Sequence, residues 1–278
     1  RKSQAQNRDC LLLCFSIPCV NLPTLQERKR SLTMNEVDVV ICAGGTGTRL
    51  RPLTAGVNKH LLPMWDEPLI CHAVRFAKSI SDRVLIVTEP DAIGSMSKVA
   101  DDCCFAVQDG PNGIADAING SRFFCRVEST ILVLLADNLF DSQCRDVIRS
   151  VVKSSSSQSE ELRTTHCFVS KVTNASDYGV LLVDADGFAV GIEEKPSSPM
   201  SDLAVVGAYL FNQQLWHDLF HLTLSDRGEY EVTDLLRAAM DRGELAWHPV
   251  EGRWQDVGGS INQYAQSFVS QFESGNNK

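Results

Sequence analysis

The chain has 278 residues, 44% of them hydrophobic and 22% charged, with a formal net charge of −9. That length is enough for one substantial α/β unit, and the apolar share is that of a packed chain rather than a disordered one. The acidic balance argues against nucleic acid as a partner, which would call for a basic face.

The first 33 residues differ in kind from the rest. Arg1, Lys2, Arg8, Arg28, Lys29 and Arg30 outweigh Asp9 and Glu27, and Cys10 to Val20 is an apolar run. That run is too short to span a bilayer, which takes about 20 residues. It resembles the h-region of a signal peptide, yet Met34 stands just before the first core strand. The expectation is a leader over 1–33, upstream of a true start at Met34, followed by one domain over 34–278. A transit or signal segment is the alternative reading of the leader, and neither reading makes the membrane a partner.

From Val37 the chain alternates strand and helix signals. Val37 to Cys42 reads as a buried strand, followed by a glycine-rich turn, a helix near Leu69 to Ser79 and a strand from Val84 to Thr88. A further helix and strand run through Val107. Ile114 to Ser121 reads as a helix, Ile131 to Leu135 as a buried strand, and Asp141 to Lys153 as an amphipathic stretch ahead of a serine-rich loop, Ser154 to Ser159. The second half has shorter strands from His166, a hairpin at Asp184 to Gly187, and helices over Val232 to Arg242 and Ile261 to Phe272. Such βα repetition implies a parallel sheet with helices on both faces, and the hairpin adds antiparallel strands. The expected fold is α/β, a three-layer Rossmann-like sandwich around a mixed, mostly parallel central sheet.

Gly44-Gly45-Thr46-Gly47-Thr48-Arg49-Leu50 directly follows the first strand. A strand that empties into glycines exposes backbone N–H groups with no side chains in the way, which is how proteins cradle phosphate. The spacing is not that of a Walker loop, which needs a lysine after the second glycine, nor that of a dinucleotide fingerprint, because Leu50 stands where a small residue belongs. Lys59 follows within a dozen residues, so two cations, Arg49 and Lys59, lie beside the cradle in an acidic chain. That arrangement suits a polyphosphate; a solvated surface lysine is the plain alternative.

Arg51-Pro52-Leu53-Thr54 and Lys59-His60-Leu61-Leu62-Pro63 continue the segment, and here the sequence resembles the sugar-1-phosphate nucleotidylyltransferases, with glucose-1-phosphate thymidylyltransferases the nearest group. The likeness recurs in order. Gln108 to Ala117 is similar to the family's base-reading block. Ala136-Asp137-Asn138 follows the buried strand as the family's Gly-Asp-Asn does. Tyr178-Gly179-Val180, Glu193-Glu194-Lys195-Pro196, Val205 to Tyr209, Arg227 to Asp234 and Trp254-Gln255-Asp256-Val257-Gly258 come in the family's sequence.

The resemblance implies a nucleotide-diphospho-sugar transferase-like fold and an enzyme that joins a nucleoside triphosphate, dTTP by the nearest group, to a sugar 1-phosphate such as glucose 1-phosphate, releasing pyrophosphate. It implies catalytic roles for Arg49, Lys59 and Lys195. Nucleotide contacts fall on Gly44, Gly45, Thr46, Gly47, Thr48, Gln108 and Gly113, and sugar contacts on Gly179, Glu194, Val205 and Tyr209. Asp137 at a strand's carboxyl end and Asp256 in a turn make an oxygen-only pair suited to Mg²⁺, which takes few carboxylates plus substrate phosphates. An ordinary helix cap for Asp137 and a surface pairing of Lys195 with Glu193 or Glu194 are the structural alternatives. A uridylyl- or cytidylyltransferase of the same fold and a non-catalytic nucleotide-sugar sensor are the functional ones.

Three departures from the family pattern stand out. The stretch from Thr88 to Val107 is short, so its helix and strand should be trimmed, and Ala136 replaces a glycine. After Trp254 the sequence does not show the further helices that build an effector site and subunit contacts in longer relatives, so the resemblance does not extend to feedback inhibition or tetramer formation, and a homo-oligomer stays open. The ten cysteines form no framework: Cys10, Cys14 and Cys19 fall in the leader, and Cys103 and Cys104 are adjacent. Reduced thiols in the cytoplasm are the expectation.

Overall fold

The computed structural model describes residues 37–155 and 164–269. The leader over 1–33, most of the serine-rich stretch and the last three residues of the helix expected over Ile261 to Phe272 lie outside the described residues.

In chain order the elements are β1 (Val37–Cys42), β2 (Pro63–Met64), β3 (Glu67–Pro68), α1 (Leu69–Lys78), β4 (Val84–Thr88), α2 (Pro90–Met96), β5 (Cys104–Val107), α3 (Ile114–Gly120), β6 (Thr130–Leu135), β7 (Asn138–Phe140) and α4 (Ser142–Ser155). The second half adds β8 (Thr165–Lys171), β9 (Gly179–Val183), β10 (Ala189–Glu194), β11 (Leu203–Phe211), α5 (Leu215–His221), α6 (Val232–Asp241), β12 (Leu245–Pro249), β13 (Trp254–Asp256) and α7 (Ile261–Val269).

Nine strands form one sheet in the order β10-β9-β11-β6-β1-β4-β5, with β8 beside β11 and β12 beside β8. The block β6-β1-β4-β5 is parallel, and β11 runs antiparallel to β6, β8 and β9. A register shift between Val205 and Tyr209 bends β11, so its first half meets β8 and β9 while its second half meets β6 and β8. Bulges of this kind re-aim side chains near functional sites.

The central strands are apolar on both faces because both are covered. Val39 and Ile41 of β1 pack with Ile70, Ala73 and Ala77 of α1 and Ile148 and Val152 of α4. Val40 and Cys42 face the other way, toward Ala115 and Ile118 of α3 and Leu235 and Leu236 of α6. The period-2 alternation of the strand thus sorts its residues into two cores and makes three layers. In α1, buried Leu69, Ile70, Ala73, Val74, Phe76 and Ala77 repeat at helical spacing, and Arg75 and Lys78 close its last turn, where cations suit the helix dipole.

The structure departs from the sequence reading at some elements and agrees with it at others. Ser154 and Ser155 belong to α4 rather than to a loop, because Ser155 is buried and its hydroxyl pairs with His166 of β8 at 3.0 Å. The trimmed region is a helix of seven residues and a strand of four, as its length requires. Helix α5 and strand β12 carried no legible signal: one is seven residues long, and the other ends in Pro249 and pairs only with β8. Among the described residues, no helix is long and apolar enough to cross a membrane.

Candidate active site

β1 and β6 are parallel neighbours whose last residues, Cys42 and Leu135, stand in register. The chain winds to β4 and β5 on one side of β1 and to β6 on the other, so the gap between these two strand ends is a topological switch point, where open α/β sheets place ligands. A cleft of about 250 Å³ opens there. The loop after β1 contributes Gly44 and Gly45, the following segment Lys59, and the turn beyond β5 Gln108 and Gly113. Asp137 enters from the end of β6, Lys195 from the end of β10 and Asp256 from β13. A second cavity of about 380 Å³ between α1 and α4, lined by Trp65, His72, Phe76, Phe140 and Arg145, holds none of the residues predicted for the site.

Asp256 reaches Asp137 through a separate two-stranded ladder. β13 pairs antiparallel with β7, setting Asp256 opposite Asn138, and the Val257 N–H donates to the Asp137 carbonyl at 2.9 Å. Gly258 completes the approach, since a Cβ there would stand 2.2 Å from Asp137 Oδ2. Asn138 braces the aspartate: its Nδ2 donates to Asp137 Oδ1 at 3.1 Å, while its Oδ1 accepts from the Gly207 N–H at 3.0 Å and Trp254 Nε1 at 2.6 Å.

Lys59 Nζ lies 2.5 Å from Asp137 Oδ2, both side chains nearly buried. Burial alone would lower the ammonium pKa, but Asp137, backed by Asp256, outweighs it and holds Lys59 above its ordinary value. Burial alone would raise Asp137; Lys59 outweighs that and keeps this carboxylate ionised, well below the usual range. Among the described residues Asp256 forms no such ion pair. Burial and the Asp137 charge push its carboxyl up to about 6, the pattern of two carboxylates sharing one site. Such a pair is costly without a cation, and its all-oxygen donors fit a hard divalent ion. Among the described residues no cluster of three or more His, Cys, Asp and Glu exists. His60 behind Lys59 is buried and pushed down to about 3 by burial and by Lys59, hence neutral. Burial and Asp137 push the Cys42 thiol up to about 12, so it is no nucleophile.

The glycine-rich loop is pinned from below. The Gly45 N–H donates to Glu89 Oε1, and Asn58 Nδ2 donates to Glu89 Oε2 at 3.1 Å. Asn58 Oδ1 in turn accepts from the His60 N–H at 2.9 Å, capping the turn that carries Lys59. Glu89 therefore ties the phosphate cradle to the lysine, a link that adjacency in sequence could not reveal. Gly47 starts the short Thr48–Leu50 turn, and its carbonyl accepts from Thr54 Oγ1 at 2.7 Å. Thr46, Thr48 and Arg49 are exposed on this loop. They do not line the cleft, although the Arg49 charge is felt by both Lys59 and Asp256.

On the far side, a Cβ on Gly179 would stand 3.3 Å from Glu194 Oε2 and 3.9 Å from Val205 Cβ, so those three predicted sugar contacts cluster. Lys195 holds a left-handed φ of 44° and pairs with Glu194 at 3.2 Å while still lining the cleft. Glu194 also receives Arg227 Nη1 and Thr233 Oγ1, each at 3.1 Å. Tyr209 is buried, its phenol raised by burial and the nearby Glu194 charge. It underlies the cluster rather than lining the cleft. Sequence reasoning placed His60 near the chemistry but gave no role to Asn58 or to Glu229, which lines the cleft, and it passed over Glu89, which follows β4 outside every motif.

The sequence profile of the nucleotidyl transferases matches residues 38–271. The chain belongs to the nucleotidyl transferase family. Within it, the chain is 35% identical to a glucose-1-phosphate thymidylyltransferase of Mycolicibacterium smegmatis over 216 residues, covering 74% of this chain and 72% of that one. It is 34% identical to the Neisseria meningitidis glucose-1-phosphate thymidylyltransferase over 244 residues, covering 83% and 81%. A Bacillus anthracis protein assigned to the same activity and crystallised with sucrose superposes with a TM-score of 0.77 at 29% identity, covering 87% of this chain and 98% of that one. A UDP-glucose pyrophosphorylase bound to UDP-glucose shares the fold, with a TM-score of 0.71 at 24% identity. This nucleotidyl transferase thus shares its fold with solved structures over most of its length.

Proposed function

We propose that the protein transfers a nucleotidyl group from dTTP to glucose 1-phosphate, giving a nucleotide sugar and pyrophosphate. One observation carries this reading: Lys59, Lys195, Asp137 and Asp256, brought from four separate stretches of chain, meet the glycine-rich loop in a single cleft at the switch point. Relatives bearing the thymidylyltransferase name over most of the chain support the choice of substrates.

A phosphate oxygen of the sugar phosphate attacks the α-phosphorus in line. The new P–O bond forms as the bond to the β-phosphate oxygen breaks, and that electron pair leaves with pyrophosphate. The attacking oxygen is already ionised near neutral pH, the second phosphate pKa being about 6, so no protein base is required. The task is to bring two polyanions together and to balance charge as it moves to the leaving group. Lys59, held charged by Asp137, meets the reacting phosphates. Lys195 meets the sugar phosphate, and Arg49, exposed on the loop, meets the triphosphate and the departing pyrophosphate. The N–H groups of the glycine loop other than that of Gly45, which Glu89 holds, together with Thr46, Gly47 and Thr48, hold the triphosphate, while Gly179, Glu194 and Val205 face the sugar with Tyr209 beneath. Asp137 and Asp256 would hold Mg²⁺, which supplies charge neutralisation for the leaving phosphate when bound.

Incubating the full chain with Mg²⁺, each nucleoside triphosphate and a set of sugar 1-phosphates, and measuring pyrophosphate release, tests the reading. Release with dTTP and glucose 1-phosphate, abolished by chelation, is the expected result. No release with any pair would leave a nucleotide-sugar sensor as the function.

A further inference from the structure

We propose that Asp116 is a specificity-determining residue: by fixing which end of the Gln108 amide faces the cleft, it selects bases that carry a ring N–H, thymine and uracil, over cytosine. The inference rests on the nucleotidyl-transfer reading and extends it to the base.

Gln108 follows β5, its backbone N–H bonded to the Thr88 carbonyl at 2.9 Å, and its side chain reaches the cleft. Both hydrogen bonds of that side chain among the described residues are made by Nε2. One goes to the Gly113 carbonyl at 2.9 Å and the other to Asp116 Oδ2 at 3.2 Å. A carbonyl and an ionised carboxylate accept and cannot donate. Turned over, the amide would aim its oxygen at two acceptors and lose both bonds. The orientation therefore follows from the chemistry of the neighbours, the ground on which an amide should be assigned. Asp116 supplies the charged acceptor of the two, a kind of bond that at equal geometry is about twice as strong as a neutral one. It is itself held in the first turn of α3 and accepts from Asn112 Nδ2 at 3.3 Å.

The consequence is an acceptor presented to the cleft. Oε1 stands over Gly44, where a Cβ would come within 2.5 Å of it, and Gly113, Ile114 and Ala117 line the same cleft. Thymine and uracil carry an N3–H donor on the edge that proteins read. Cytosine has a lone pair at N3, which faces Oε1 acceptor to acceptor. It can offer its exocyclic amine only by sliding one ring position along, which draws the ribose and phosphates away from the glycine loop. An unpaired buried acceptor of this kind is worth roughly tenfold to a hundredfold in affinity.

The test measures binding and turnover separately. Calorimetric dissociation constants for UTP and CTP, which share a ribose, are taken for the wild type, for Asp116→Leu and Asp116→Ala, which cannot accept, and for Asp116→Asn, which can still accept through its oxygen. The wild type should favour UTP by about tenfold or more. Asp116→Leu should cut that ratio at least about fivefold, and Asp116→Asn should keep most of it. Circular dichroism confirms each fold, and the alanine variant carries the comparison should the leucine variant not fold. Equal wild-type affinities, no binding of either triphosphate, or an unchanged ratio in the leucine and alanine variants would overturn the proposal. Pyrophosphate release from the same samples keeps the two readings apart. Base preference without turnover supports the role of Asp116 and sinks the transferase reading alone, whereas turnover with an unchanged ratio in the variants sinks only the role of Asp116.

Discussion

Replacing Asp256 by asparagine should make the metal-free protein more stable while removing its activity. In the folded chain burial and the Asp137 charge push the Asp256 carboxyl up to about 6, against about 3.9 when unfolded. Between those values the folded state holds a proton that the unfolded state has released, so the contribution of this group falls as pH rises from about 4 to about 6 and stays lost above. Two units correspond to roughly 3 kcal/mol, reduced to about 2 kcal/mol by water entering the cleft. Asparagine keeps an oxygen to accept the Gly258 N–H, which now bonds Asp256 Oδ1 at 2.9 Å, and it never ionises. Urea unfolding in EDTA should therefore give equal stabilities for variant and wild type at pH 4 and a variant advantage of about 2 kcal/mol at pH 8. Taking the difference between the two proteins cancels the groups they share. Magnesium should raise the wild-type midpoint by mass action and leave the variant's unmoved. A variant advantage that does not change with pH, or a variant less stable at pH 8, would refute the claim that two carboxylates are forced together here.

Lys59→Met should strand Asp137 without its cation and lower stability by about 3 to 5 kcal/mol, read from the urea midpoint, with turnover lost; Lys59→Arg should not restore turnover, because a planar fork does not fit a point-charge site. Arg49→Ala should fold normally, since Arg49 is exposed, yet lower kcat by about 10² to 10³, as for loss of one preorganised contact to developing charge. Gly113→Ala should lower the melting temperature and weaken nucleotide binding together: the residue has φ of 100°, and a Cβ would stand 2.4 Å from the Tyr230 carbonyl, a strain of about 1 to 3 kcal/mol before the clash is counted.

Much of the fold could be read from local pattern. The buried strands β1, β4 and β6 are continuous apolar runs bounded by turn residues, and α1 and α6 carry a helical stripe, because covered strands and half-covered helices each impose their own period on the sequence. The phosphate cradle was equally legible, being one contiguous stretch from Gly44 to Leu50. The short elements α5 and β12 were not, because about two helical turns and a five-residue strand that ends in proline repeat their period too few times to stand out, and their pairing is set by neighbours distant in the chain.

What the order of residues determined by itself is which groups are chemically able to act: glycines for a cradle, lysines and arginine for phosphates, two aspartates for a cation. Tertiary structure alone decided their state. The β7–β13 ladder brings Asp256 beside Asp137, Lys59 closes on one of the pair and not the other, and Asp116 turns the Gln108 amide. Those outcomes depend on through-space distance and on exclusion of water, and Coulomb energy in a dry cleft is set by both, neither of which is written in the spacing along the chain.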